Sequence, residues 1–300
     1  MVEHPWIHGA TARDPILGRM MERLQGLAAG DHPVLLVGEP GSGHEAAARA
    51  IHNLSCRAAE PFVAVDCGSL PEPLLEAELF GLEGRHGPRK AGAFEQARAG
   101  TVFLAHVVEL PPRLQKTLLQ LLDRKEIAQV TGAAVPVASR CIAGTTVDLA
   151  ARTGAGLFRP DLEVRLAARS LLLAPLRERP DDIALLASRF LAQWSEPPAE
   201  LTPKAQAALR DYPWPGNLRE LRGVVDEARV NARGSRIGID DLPARVRGRG
   251  ATEGLSSLRD LERWYIVQAL DAAGQSHQRA ARLLGISRWS LARRLRKYGL

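Results

Sequence analysis

Val34-Leu-Leu-Val37 runs into Gly38-Glu-Pro-Gly-Ser-Gly43 and then His44-Glu45, which opens an alanine-rich stretch ending near Leu54. Four apolar residues stopped by glycine suit a buried strand, and the alanines after the turn suit a helix. Strand, glycine-rich turn and helix together form the opening unit of a phosphate-binding α/β domain. Glycines serve there because backbone N–H groups must close around an anion. The full pattern is G-x-x-x-x-G-K-[ST], in which the lysine neutralises phosphate oxygens and the hydroxyl meets the metal ion. Gly38, Gly41 and Gly43 supply the frame, with Glu39 and Ser42 between them. His44 stands in the lysine position and Glu45 in the hydroxyl position. A neutral imidazole is shorter than lysine and carries no permanent charge.

Outward from this loop, Phe62-Val-Ala-Val65, Thr101-Val-Phe-Leu104, Cys141-Ile-Ala-Gly-Thr145 and Ser170-Leu-Leu-Leu173 read as further buried strands. Helical patterns such as Pro112 to Leu122 separate most of them. This alternation predicts an α/β domain over residues 1–176, a mostly parallel sheet sandwiched by helices. Residues 177–247 turn to helical periodicity punctuated by Pro197-Pro198 and Pro213-Trp-Pro-Gly216, as in a small helical lid domain. Gly248-Arg-Gly-Ala-Thr-Glu-Gly254 reads as a linker, and residues 255–300 are helical again. Thr101–Leu104 leads into Ala105-His106, where a nucleotide-driven motor would place two acids for Mg²⁺ and water. Alanine cannot bind a metal, and His106 could act as a base in principle but has no Mg²⁺ holder beside it. Two histidines, His44 and His106, do not by themselves make a zinc site, so no metal is assigned.

The tail has its own chemistry. From Pro243 onward twelve arginines and lysines face four acids, a surplus of +8 in a chain of net charge +6. A basic tail on a near-neutral body points to a polyanion. Ala280, Ala281, Leu284, Ile286, Leu291 and Leu295 have the spacing of two short helices sharing one core. Gly285 suits the turn between them and Ser287 the cap of the second. On that second helix Ser287, Arg288, Trp289, Ser290, Arg293, Arg294, Arg296 and Lys297 are candidates to meet double-stranded DNA in the major groove.

Composition excludes other classes. The chain has 300 residues and is 45% hydrophobic and 25% charged, the balance of a globular protein. No apolar run reaches the length of a membrane span, and the first residues carry no signal-peptide core. Cys56, Cys67 and Cys141 lack metal-ligand spacing and read as reduced thiols. A cytoplasmic location and no membrane partner are expected.

With these segments in place, residues 7–246 resemble the central AAA+ domain of the sigma-54-dependent activators. The resemblance rests on GEPGSGHEAAARAIH (38–52), FVAVDCGSLPEPLLEAELFG (62–81), the stretch from Arg89 to Leu122, FRPDLEVRL (158–166), APLRERPDDI (174–183) and WPGNLRELRGVV (214–225). ARLLGISRWSLARRLRKYGL (281–300) resembles a Fis-type helix-turn-helix. The resemblance implies a AAA+ P-loop-type sheet, a helical lid and an all-α DNA-binding domain. Arg159 and Arg165 match the positions of arginines that act on a neighbouring subunit's nucleotide, and they equally suit structural salt bridges. Arg219 matches the arginine of the second sensor. The departures are His44, the Ala105-His106 pair, Thr145-Thr146 at the first sensor, and the GAFTGA contact loop. That loop should follow Leu79-Phe-Gly81 and reads as deleted, since the letters GAF at Gly92–Phe94 align beyond it. The expectation is a regulator with no catalytic residues of its own. It would bind ATP or ADP, if at all, without hydrolysis, and would form homo-oligomers or mixed oligomers with an active paralogue, with RNA polymerase as a possible contact. With so little chain before the domain, control is expected from partners, expression or the domain itself.

Overall fold

The computed structural model describes residues 15–82, 90–128, 134–194, 199–232, 234–247, 262, 265–270, 273, 276–284 and 286–298, the side chains of 15–21 excepted. They fall into two compact units, Met1–Asp241 and Leu242–Leu300.

The first unit is built on a five-stranded sheet in the order β2 (Phe62–Asp66), β3 (Thr101–Ala105), β6 (Arg140–Thr145), β1 (Val34–Gly38), β7 (Ser170–Leu173), with every adjacent pair parallel. The short strands β4 (Glu126–Ala128) and β5 (Ala134–Pro136) pair antiparallel apart from it. Side chains alternate across the sheet and feed two cores. Leu35, Val102, Leu104, Cys141 and Ala143 face one core with α3 (Glu72–Phe80), α4 (Ala93–Gln96), α5 (Pro112–Arg124) and α7 (Pro160–Ala167). Val34, Leu36, Phe103, Ile142 and Leu171 face the other with α1 (Pro15–Ala28) and α2 (His44–Asn53). Burial on both faces explains why these strands read as continuous apolar runs. The expected sandwich of helices around a parallel sheet is therefore present.

After α6 (Leu149–Gly154), α7 and β7, the lid consists of α8 (Pro180–Ala192), α9 (Pro203–Asp211) and α10 (Asn217–Asn231). Pro180 and Pro203 start their helices where the missing N–H is not needed. The Thr202 side chain caps α9, accepting from Ala205 N at 3.4 Å. Sequence periodicity missed two strands here, β8 (Glu200–Leu201) and β9 (Arg236–Ile237), because two residues each are too short to show alternation. Trp214 is fully buried, with Nε1 donating to Leu209 O at 2.8 Å.

In the second unit, α11 (His277–Leu283) and α12 (Arg288–Tyr298) share a core with the helical residues 265–270. Ser287 Oγ accepts from Ser290 N at 3.1 Å, which is the expected cap of α12. Gly285 lies outside the described residues.

Candidate functional site

A parallel sheet places its functional turns at the carboxyl ends of its strands. Here the ends of β1, β2, β3 and β6 open onto a cavity of about 590 Å³, lined by Gly41, Gly43, His44, Asp66, His106, Thr145 and Thr146 on the sheet side. Phe190, Leu218, Arg219 and Arg222 line it from the lid. Its size falls in the range of small-molecule sites, roughly 300–1,000 Å³.

The loop between β1 and α2 has the backbone that its glycines were expected to supply. Gly41 has φ +77° and Gly43 φ +101°, so both occupy conformations costly for other residues. A Cβ on Gly41 would come within 2.3 Å of Gly216 O, so glycine also lets the lid backbone close onto the loop. The lid is tied there by Leu218 N donating to Gly41 O at 3.0 Å. Asn217, buried with φ +52°, accepts from Leu176 N at 2.7 Å and donates to Glu39 Oε2 at 3.1 Å and Pro40 O at 3.2 Å. Glu39 is gripped by Arg177 through two bonds of 2.7 and 2.8 Å. The Arg177 and Asn217 hydrogen bonds outweigh burial and hold the Glu39 carboxyl below its ordinary value. Ser42 is buried, and its carbonyl accepts from Arg179 at 3.4 Å. Glu45 turns along α2 to Arg49 at 2.8 Å. Glu39 and Glu45 thus spend their charge on arginines.

His44 is turned away from the role of a lysine. Its Nε2 lies 3.0 Å from Thr145 O, and because a carbonyl only accepts, Nε2 carries the proton. Nδ1 is left to accept from the Ser42 hydroxyl at 3.5 Å. Burial pushes the His44 pKa down, against the opposing pull of the Thr145 bond, and the nearby His106 lowers it further. His44 thus joins the glycine loop and the start of α2 to β6, with burial favouring its neutral form.

At the end of β3, Ala105 faces the cavity with a methyl group. His106 follows in the left-handed region at φ +52°, and its Nδ1 donates to Asp66 Oδ1 at 2.8 Å. An acid thus stands beside His106, supplied by the neighbouring strand. Register brings Asp66 opposite Ala105, although they lie far apart along the chain. Burial raises the Asp66 pKa, but hydrogen bonds from His106 and Gly68 N, with the charges of His106 and Arg219, bring it below its ordinary value. Asp66, Asn217, Arg177 and Arg222 were not singled out by sequence reasoning. The one available signal for Asp66 was an acid closing an apolar strand in Phe62–Asp66.

Arg159 pairs with Asp161 at 2.7 Å, and Arg165 pairs with Asp123 at 3.2 Å while donating to Leu122 O at 3.2 Å. Both arginines are partnered within their own chain. The segment expected to hold the contact loop, residues 83–89, lies outside the described residues; Leu82 and Lys90 on either side of it exchange backbone hydrogen bonds. Ala93 and Phe94 are buried in α4, so the letters GAF belong to the core. Cys67 and Cys141 are buried free thiols, the latter pushed up to about 12 by burial. Among the described residues, no helix is long and apolar enough to cross a membrane.

On α12 the candidate DNA residues divide. Leu291, Leu295 and Tyr298 are buried, while Arg288, Trp289, Arg293, Arg296 and Lys297 are exposed. Arg294 is drawn to Glu262 at 2.5 Å, Tyr298 OH donates to the same carboxylate, and Lys297 lies 3.8 Å from it.

A glycine-framed loop at the carboxyl edge of a parallel sheet, closed by a helical lid, defines a AAA+ module of the P-loop type, here followed by a helix-turn-helix tail. The Sigma-54 interaction domain matches residues 10–172, the AAA+ ATPase lid domain residues 177–257, and the Fis family of bacterial regulatory proteins residues 257–298, so the chain belongs to the sigma-54-interaction-domain family of bacterial regulatory proteins. It is 42% identical over 238 residues to the Sigma54-dependent transcriptional activator SfnR of Pseudomonas putida, covering 76% of this chain and 65% of SfnR. Identity to the regulatory protein AtoC of Escherichia coli K12 is 38% over 296 residues, covering 91% of this chain and 64% of AtoC. The chain thus spans a little under two thirds of the length of these relatives. A crystal structure of NtrX from Brucella abortus in complex with ADP matches with a TM-score of 0.73 and 30% identity, over 97% of this chain and 70% of that one.

Proposed function

We infer that this chain is a DNA-binding transcription regulator of the sigma-54-activator type whose AAA+ body works by assembly and does not hydrolyse ATP. The observation that carries the reading is His44, a neutral ring hydrogen-bonded to Thr145 O where the chemistry calls for a lysine charge. Ala105 adds to it, since phosphoryl transfer rests almost wholly on positioning and charge compensation. ADP or ATP is still accommodated: the glycine loop retains its anion-cradling backbone and Arg219 lines the opposite wall. The surplus of arginine on the tail and the exposed cations of α12 suit double-stranded DNA. The short segment at 83–89 suits a chain without the sigma-54 contact loop, so remodelling of polymerase falls to a partner. Arg159 and Arg165 suit a place in a ring of identical subunits or in one shared with an active paralogue, where they would exchange their own aspartates for a neighbour's phosphates.

Steady-state ATP turnover with Mg²⁺ tests this, for the purified chain alone and mixed with an active relative. No turnover alone, with altered turnover in the mixture, is the expected result. Robust turnover by the chain alone overturns it. A second reading, a compensated ATPase, is favoured by one contact, the Asp66–His106 pair: it supplies an oriented imidazole where water would be activated. Turnover abolished by His106→Ala would establish that reading instead.

A further inference from the structure

The helical geometry of α12 sorts its side chains into two opposed faces. Leu291, Leu295 and Tyr298 enter the core, and Trp289, Ala292, Arg293 and Arg296 occupy the i, i+3, i+4, i+7 stripe on the other side. Trp289 is the most exposed large apolar residue described, at 85%. It sits in the first turn of α12, where the Ser287 side chain caps the helix at Ser290 N. The cations nearby fall into two groups. Arg294 and Lys297 are drawn to Glu262, whereas Arg293 and Arg296 form no ion pair among the described residues. An exposed indole on the same stripe as two arginines that form no ion pair among the described residues is costly in water, and it suits a surface that is anionic at its edges and apolar at one point.

We propose that Trp289 is a specificity-determining residue that packs on the C5-methyl group of a thymine in the major groove, while Arg293 and Arg296 hold the flanking phosphates or guanine edges. This rests on the DNA-binding reading above and deepens it. Among the groups on base edges in the major groove, the thymine methyl is the apolar one; the others are hydrogen-bond donors and acceptors. The first turn of a recognition helix is the part that reaches base edges. The occupant is therefore duplex DNA carrying a 5-methylpyrimidine at one position of the site.

The test uses the full chain. Binding sites are enriched from a random duplex pool, and affinities are measured by fluorescence anisotropy as each thymine is replaced in turn by deoxyuridine, which removes only the methyl group. At one position the wild-type chain should lose about three- to tenfold in affinity, the scale of one buried methyl group. Trp289→Ala should lose a similar factor on the thymine duplex and become indifferent to the methyl there. Trp289→Phe, which keeps a ring, should retain part of the sensitivity. Insensitivity to deoxyuridine at every position overturns the proposal, as does a Trp289→Ala chain as methyl-sensitive as wild type. Dependence on Trp289 without dependence on any methyl overturns it too. DNA binding that persists in those cases leaves the underlying reading intact, whereas no binding even at low salt removes both.

Discussion

Asp66 stands directly opposite Ala105 in the parallel ladder of β2 and β3, so an acid lies one strand away from the alanine that ends β3. Its Oδ1 is already committed, accepting from His106 Nδ1 at 2.8 Å and Gly68 N at 2.9 Å. A carboxylate held in this way orients an imidazole, as in an Asp–His pair. On the proposed reading, the lysine charge that His44 does not supply is a feature distinct from this pair, and the two can be separated by experiment.

Restoring that charge should rescue binding without rescuing chemistry. His44→Lys places a flexible ammonium at the phosphate loop and gives up the bond to Thr145 O. Affinity for ADP should rise by about tenfold or more, the scale of one charge-assisted contact of 1.4 kcal/mol or better. ATP turnover should stay at background because Ala105 is unchanged. Calorimetric titration with ADP checks the first part and a phosphate-release assay the second. Turnover by His44→Lys would mean that the Asp66–His106 pair supplies what the β3 acids usually do.

How much of this was legible in the sequence follows from how local each feature is. The strand at Val34, the glycine turn, the two-sided burial of the sheet and the cap at Ser287 are set by near neighbours, and all are present. His44 and Ala105 stood out because their positions are fixed within a short motif. The Asp66–His106 contact was invisible because its partners lie on two crossover-connected strands, and only the register of β2 against β3 brings them together. Asn217 lay inside a recognised motif, but its bonds to Glu39, Pro40 and Leu176 span well over a hundred residues in two cases. Arg294 read like Arg293 on the helix, and Glu262 from a preceding segment distinguishes them.

Half-buried His44 and buried His52 make stability fall on the acid side of neutrality. Burial lowers the pKa of both His44 and His52 from the ordinary 6.5. The unfolded chain therefore takes up protons first as pH drops below 6.5, and stability present above that value is lost. Each histidine can contribute a slope of at most about 1.4 kcal/mol per pH unit. Urea unfolding at pH 7.5 and 5.5 should show a lower midpoint at pH 5.5, with the difference reduced in His44→Gln and His52→Gln. The lowered carboxyls of Glu39 and Asp66 act in the same direction but below this window, losing their contribution as pH falls toward and below 4. An unchanged pH difference in both glutamine variants would show that neither ring is held neutral by the fold.

Asn217 should be a major stabilising residue of the lid's seat on the phosphate loop. Replacing it by alanine leaves Leu176 N without its acceptor at 2.7 Å and puts a Cβ residue without a polar side chain at φ +52°. A buried unsatisfied donor costs about 1–3 kcal/mol and the backbone strain about 1 kcal/mol more. Asn217→Ala should lose about 2–4 kcal/mol in urea unfolding, and Asn217→Gly, which gives up the same hydrogen bonds without the backbone strain, should lose less. Equal losses in the two variants would place the cost in the hydrogen bonds and none in the backbone.

The cations of α12 should separate into binding and folding roles. Arg293 and Arg296 are exposed on the stripe that carries Trp289, so each should release about one counterion on meeting a phosphate. Arg293→Ala and Arg296→Ala should each reduce the slope of log affinity against log salt by about 1 and leave thermal unfolding unchanged. Arg294 holds Glu262 at 2.5 Å and bonds back to Ser290 O at 3.4 Å, so its guanidinium fastens α12 to the preceding segment. Arg294→Ala should therefore lower the unfolding temperature of the tail while leaving the salt slope close to that of the wild-type chain. Anisotropy titrations across a salt series and circular dichroism melts of the same proteins give both readouts. A salt slope reduced as much by Arg294→Ala as by Arg293→Ala would mean that Arg294 leaves Glu262 for the DNA, and that the pair is a contact of the free protein only.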